Sequence, residues 1–181
     1  MKDLFIRVYR KKDSYKYKKY PDKPDDWHNN DANNMLDSLV LFYNEALLLK
    51  VKCQSVSNIP GGRFLDTIRP GKFQLKCFVE KRKFYCQPHG IINCYDMDGQ
   101  FINEKSITPI PGENGAPVND LRTLLHDTQS LYPKPAMTLT RVAWSASCII
   151  IKPDDLIAFN TILSGYKVKP NDIINGEIIE V

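Results

Sequence analysis

Polar and apolar residues alternate along Lys72-Phe-Gln-Leu-Lys-Cys-Phe-Val-Glu80, so Phe73, Leu75, Cys77 and Val79 share one face of an extended chain. Leu4 to Tyr9 reads as a first strand, and the same period of two sets Leu49, Val51 and Cys53 against Lys50 and Lys52. Leu39 to Tyr43 is rich in β-formers, and Asn44-Glu45 between these runs predicts a two-residue hairpin turn. Ile91 to Tyr95 and Gln100 to Ile102 predict a second hairpin around Asp96-Met-Asp-Gly99. Gly176 to Val181 reads as a last strand. A sustained helical pattern occurs at Pro153–Gly165, with Asp154 and Asp155 in the first turn, an apolar stripe of Leu156, Phe159, Ile162 and Leu163, and Gly165 as the stop. Asn119 to Leu125 adds one or two expected helical turns. The pattern specifies a mostly β, sheet- or sandwich-like single domain with one C-terminal helix.

A chain of 181 residues, 43% hydrophobic and 25% charged, is long enough for one proper core. Residues 1–34 read as a strand followed by a basic and polar arm, and 35–181 as the β-rich domain proper. The arm holds Arg10-Lys-Lys-Asp-Ser-Tyr-Lys-Tyr-Lys-Lys-Tyr20. Basic residues with interleaved aromatics suit single-stranded nucleic acid, but the run is short and the net charge of +4 is mild. A solvated loop or a lysine-guarded edge strand is the better account. Pro21 to Asn34 and Pro109 to Val118 are expected loops. No apolar run reaches the ~18 residues of a membrane span, and the opening Met1 to Val8 is too short and charged for a signal peptide. The expectation is cytoplasmic synthesis, with any cell-surface role needing non-classical export. Five cysteines form no framework spacing, so reduced thiols are expected.

Chemistry concentrates at Thr140-Arg-Val-Ala-Trp-Ser-Ala-Ser-Cys-Ile-Ile-Ile151, with His126 upstream. A thiolate is the reactive form of cysteine, and a nearby imidazole can take the thiol proton and return it to a leaving amine. Small residues beside Cys148 let a carbonyl approach, and the backbone N–H groups of Ser147 and Cys148 suit an oxyanion. Trp144 is a candidate wall of the substrate cleft and Arg141 a candidate partner for a substrate carboxylate. His89, followed by Gly90, is a second candidate base or substrate contact. Cys148 as an inert core residue is the competing reading.

This stretch resembles the signature of the L,D-transpeptidase family, cysteine enzymes that remodel peptidoglycan. His126 matches the family's first His, Ser145 its Ser/Thr and Cys148 its nucleophile. Asp66-Thr-Ile-Arg-Pro-Gly-Lys-Phe73 is similar to the family's Thr-Pro-x-Gly-x-Phe segment at Pro70, Gly71 and Phe73. Ala146 stands where the family has a second His, Ser147 where it has Gly, and Ile150 where Asn or Arg is common. The resemblance implies cysteine-dependent acyl transfer on peptidoglycan stem peptides, to an amine or to water, without a cofactor. A non-catalytic β-domain on the same scaffold, serving binding or assembly, is the alternative. Cys77, Cys86, His89 and Cys94 have zinc-ligand types but lack close Cys-x₂₋₄-Cys spacing, so no metal is expected. Asp96 to Gly99 has turn chemistry rather than the ligand pattern of a calcium loop.

Overall fold

A computed structural model describes residues 4–16, 35–56, 66–77, 92–95, 97, 107–109, 124–127 and 148–181. Leu4–Arg10 (β1), Asp37–Tyr43 (β2) and Ala46–Cys53 (β3) form an antiparallel meander. Asn44 and Glu45 turn the hairpin with φ of +46° and +68°, as a type I′ turn requires. Asp66–Ile68 (β4) pairs with Ile107–Pro109 (β7) in a separate two-stranded ribbon. Gly71–Lys76 (β5), Ile92–Tyr95 (β6) and Leu124–Asp127 (β8) continue the main sheet antiparallel, and Ile149–Ile151 (β9) joins β8 in parallel. Ile173–Glu180 (β10) lies between β1 and β5, parallel to the first and antiparallel to the second.

The resulting order is β3-β2-β1-β10-β5-β6-β8-β9. Its two ends meet. Gln54, just after β3, exchanges both backbone hydrogen bonds with Ile150 of β9, at 2.8 and 2.9 Å. The sandwich-like layers expected from sequence are thus opposite walls of one curled, mixed sheet. Eight strands leave an interior that side chains can fill. Leu4, Ile6, Val8, Leu39, Leu41, Val51, Phe73, Leu75, Leu125, Ile149, Ile151, Ile174 and Ile178 fill it here.

Pro153–Gly165 (α1) forms where its pattern predicts and buries Leu156, Phe159 and Leu163. Pro153 fits the first turn because its missing N–H is not needed there, and Asp154 and Asp155 favour the positive end of the helix dipole. The helix ends at Gly165 as expected, and the left-handed residue that turns the chain away comes two positions later. Lys167 takes the left-handed conformation, with φ of +58°. Its N–H bonds to Ser164 O and that of Val168 to Leu163 O, the paired bonds of a Schellman motif. Tyr166 then packs on Tyr43 of β2, ring centroids 4.5 Å apart.

Three further expectations are corrected. Leu124 and Leu125 are strand, not the end of a helical turn, because β6 and β9 supply ladder partners on both sides. Pro109, assigned to a loop, ends β7. Arg10, read as the start of a solvated arm, is fully buried. It is the fourth inward residue of β1, after Leu4, Ile6 and Val8. Its Nε donates to Ser55 Oγ at 3.0 Å, Nη2 to Ser55 O at 2.9 Å and Nη1 to Ile68 O at 2.8 Å. Ser55 Oγ donates to Asp37 Oδ2 at 2.6 Å, and Asp37 also accepts from Ser55 N–H, Lys11 N–H and the Ser14 hydroxyl. A buried charge persists only when its donors are paired in this way. Lys12–Lys16 form a 3₁₀ turn beyond β1. The strand expected at residues 100–102 and the loop over residues 21–34 lie outside the described residues.

Candidate active site

His126 and Cys148 belong to neighbouring parallel strands. His126 is the third residue of β8, and Cys148 immediately precedes β9. The register sets Leu125 opposite Ile149 and His126 opposite Ile150. Cross-strand partners share a face, and so do residues two apart. His126, Ile150 and Cys148 therefore stand on one face, while Leu125, Ile149 and Ile151 fill the barrel on the other.

The imidazole interacts favourably with the Cys148 side chain. Its Nδ1 lies 2.6 Å from the Asp127 carbonyl oxygen. A carbonyl can only accept, so Nδ1 carries the proton and donates it. The lone pair of the neutral ring is then on Nε2, the nitrogen able to take a thiol proton. The Asp127 carboxyl itself, one residue on, turns with Leu125 toward the interior and is fully buried.

Burial acts to lower the His126 pKa. The favourable interaction with the Cys148 sulfur opposes it, helped by the Asp127 carbonyl and carboxylate, and the net effect is a raised value. The sulfur is thus the main group favouring an imidazolium at this position. Cys148 is half-buried and in no disulfide. The other described thiols differ in kind. Burial pushes Cys53 well up, with Asp37 adding and Arg10 opposing. Burial and then Asp172 push Cys77 up to about 12. Cys77 is accordingly a packing residue.

Ser145, Ser147, Trp144, Arg141 and His89 lie outside the described residues, as does Cys86. Among the described residues no three His, Cys, Asp or Glu side chains group as metal ligands. Nor is any helix there long and apolar enough to cross a membrane.

Gln54 has no counterpart in the sequence reading. It follows the alternating run ending at Cys53 and occupies the lysine face of β3, where solvent is the natural expectation. Closure of the sheet instead sets it beside Ile150, and it is completely buried. Only the pairing of residues far apart in the chain carries that information.

No protein-family model matches the sequence. A protein of Treponema pallidum (strain Nichols) with the description "Uncharacterized protein" is 30% identical over 190 residues, spanning 99% of this chain and 81% of its own length, and the chain belongs to the same family as that protein.

Proposed function

We propose that the protein is a cysteine-dependent acyl-transfer enzyme acting on peptides of the peptidoglycan stem type, with Cys148 as nucleophile and His126 as its base. One observation carries the reading: an imidazole whose Nδ1–H is anchored on a backbone carbonyl shares one strand-pair face with a half-buried thiol that is in no disulfide and that favours the charged form of the ring. The peptide class rests on the motif resemblance around Cys148. In the first half-reaction Nε2 of His126 takes the thiol proton as sulfur attacks the carbonyl carbon. Backbone N–H groups at Ser147 and Cys148 serve the resulting oxyanion. Collapse breaks the C–N bond, and the imidazolium returns its proton to the departing amine. A thioester on Cys148 remains. An acceptor amine or water, deprotonated by His126, then displaces the sulfur.

A second reading is favoured by one observation. His126 is only 7% exposed and Ile150 beside it is fully buried, as in a packed, inert pair. A non-catalytic domain of the same scaffold would look alike in these respects. Alkylation separates the two. At pH 6 iodoacetamide should label Cys148 well ahead of Cys53 and Cys77, as followed by mass mapping. His126→Ala should slow labelling of Cys148 at pH 6 by at least about tenfold, since an unassisted thiol is almost wholly protonated there. A Cys148 rate indifferent to His126 would sink the enzyme reading.

A further inference from the structure

A second polar group occupies the face that carries His126 and Cys148. The Gln54 side chain is completely buried. Its Nε2 donates to Val56 O at 2.7 Å. That bond fixes the orientation of the amide, because the reversed amide would set two acceptors against each other. Among the described residues the other end, Oε1, has no hydrogen-bond donor. Buried acceptors are almost always paired, so this oxygen calls for a donor from elsewhere.

The register says where it stands. Gln54 pairs with Ile150, and Ile150 pairs with His126, so the three form one row across the outer face. The chains run antiparallel at Gln54 and Ile150. Residues after Gln54 therefore pass beside those before Ile150. Val56, which holds the amide, lies in the direction of Cys148.

We infer that Gln54 Oε1 accepts the amide N–H of the acyl donor whose carbonyl Cys148 attacks. This rests on the acyl-transfer reading above and adds a specificity to it. Donors with an N–H beside the reacting group are favoured over esters and N,N-dialkyl amides, because a donor without that proton leaves the buried oxygen unpaired. Gln54 is then a substrate-positioning residue that takes no proton itself.

Small electrophiles test the idea without knowledge of the natural peptide. Cys148 alkylation is timed at pH 6 with iodoacetamide, N-methyl-2-iodoacetamide and N,N-dimethyl-2-iodoacetamide, each rate divided by that of free N-acetylcysteine. The first two carry an N–H and the third does not. The wild-type protein should prefer the N-methyl reagent over the dimethyl one by about five- to tenfold after normalisation, the effect of one hydrogen bond. Gln54→Met, which keeps the chain length and removes the acceptor, should bring that ratio to about one. A ratio near one in the wild type, as an ordered water on Oε1 would give, overturns the inference while fast Cys148 labelling leaves the dyad intact. A ratio unchanged in Gln54→Met also overturns it. Slow labelling of Cys148 by every reagent, no faster than Cys53 or Cys77, removes both readings. The wild-type series decides the matter even where the variant folds poorly.

Discussion

Gly176 offers the sharpest test of the packing inside the barrel. It lies in β10, with Ile6 of β1 and Phe73 of β5 as its register partners on the two sides. An added Cβ would stand 2.7 Å from Phe73 Cζ, 3.0 Å from its Cε1 and 3.1 Å from Ile6 O. Carbon atoms pack at about 3.5–4.0 Å, so the ring must retreat by close to an ångström. Phe73 and Ile6 are completely buried and leave it no free direction. Overpacking of this kind costs about 1–3 kcal/mol. Alanine recovers about 0.4–1 kcal/mol by restricting the unfolded chain. Gly176→Ala should therefore destabilise by about 1–2 kcal/mol and lower the melting temperature by about 2–8 °C for a chain of this size. Thermal unfolding followed by circular dichroism reads the shift. In a Phe73→Leu background the glycine substitution should lose most of its cost, a non-additivity that marks direct contact. An unchanged or higher melting temperature for Gly176→Ala, or strict additivity with Phe73→Leu, would refute the argument.

The buried polar network and the dyad give two more expectations. Asp37→Ala removes the acceptor of the Ser14 and Ser55 hydroxyls and of the Lys11 and Ser55 N–H groups, and takes from the Arg10 network its buried carboxylate, leaving Glu180 at 3.9 Å as the ion-pair partner of Arg10. A loss of about 3–5 kcal/mol is expected in urea unfolding, and a loss below about 1 kcal/mol would contradict the network's role. His126 has a folded-state pKa raised above its unfolded value of about 6.5. Its contribution to stability is then complete below about pH 6.5 and is lost as pH rises through the folded-state value. Cys148→Ala removes the main cause, so the melting-temperature gap between wild type and variant should be wider at pH 6 than at pH 9. A constant or reversed gap would count against the sulfur as that cause.

Local patterns were legible where a residue's neighbours in sequence decide its state. The β2–β3 hairpin follows from alternation plus Asn44-Glu45, and α1 from its apolar stripe between Pro153 and Gly165. Strand β8 was not, because Leu124-Leu-His-Asp127 is too short to show a period, and β6 and β9 impose its state. Arg10 fits an inward alternation in hindsight, but its charge argues for solvent unless Asp37 and Ser55 are known to meet it. The closeness of His126 and Cys148 depends on the parallel pairing of β8 with β9, which no local signal encodes. Gln54 depends on one bridge between strands at opposite ends of the sheet order.

The placement of β10 governs when this protein can exist during its own synthesis. Arg7 Nε and Glu177 Oε1, 170 positions apart, meet at 2.6 Å across the β1–β10 pair. Before residues 173–180 emerge from the ribosome, the chain holds two unconnected half-walls, β3-β2-β1 and β5-β6-β8-β9. Each presents a strand edge with unsatisfied backbone groups, a template for pairing with other chains. Contacts of such long sequence separation also form slowly. The thiol and imidazole lie within the second half-wall and the Gln54 amide beyond the end of the first, so the row from Gln54 through Ile150 to His126 is complete only once the two halves have joined. Arrival of the late strand joins the halves along β1 and β5, and the bridge from Gln54 to Ile150 then shuts the opposite side.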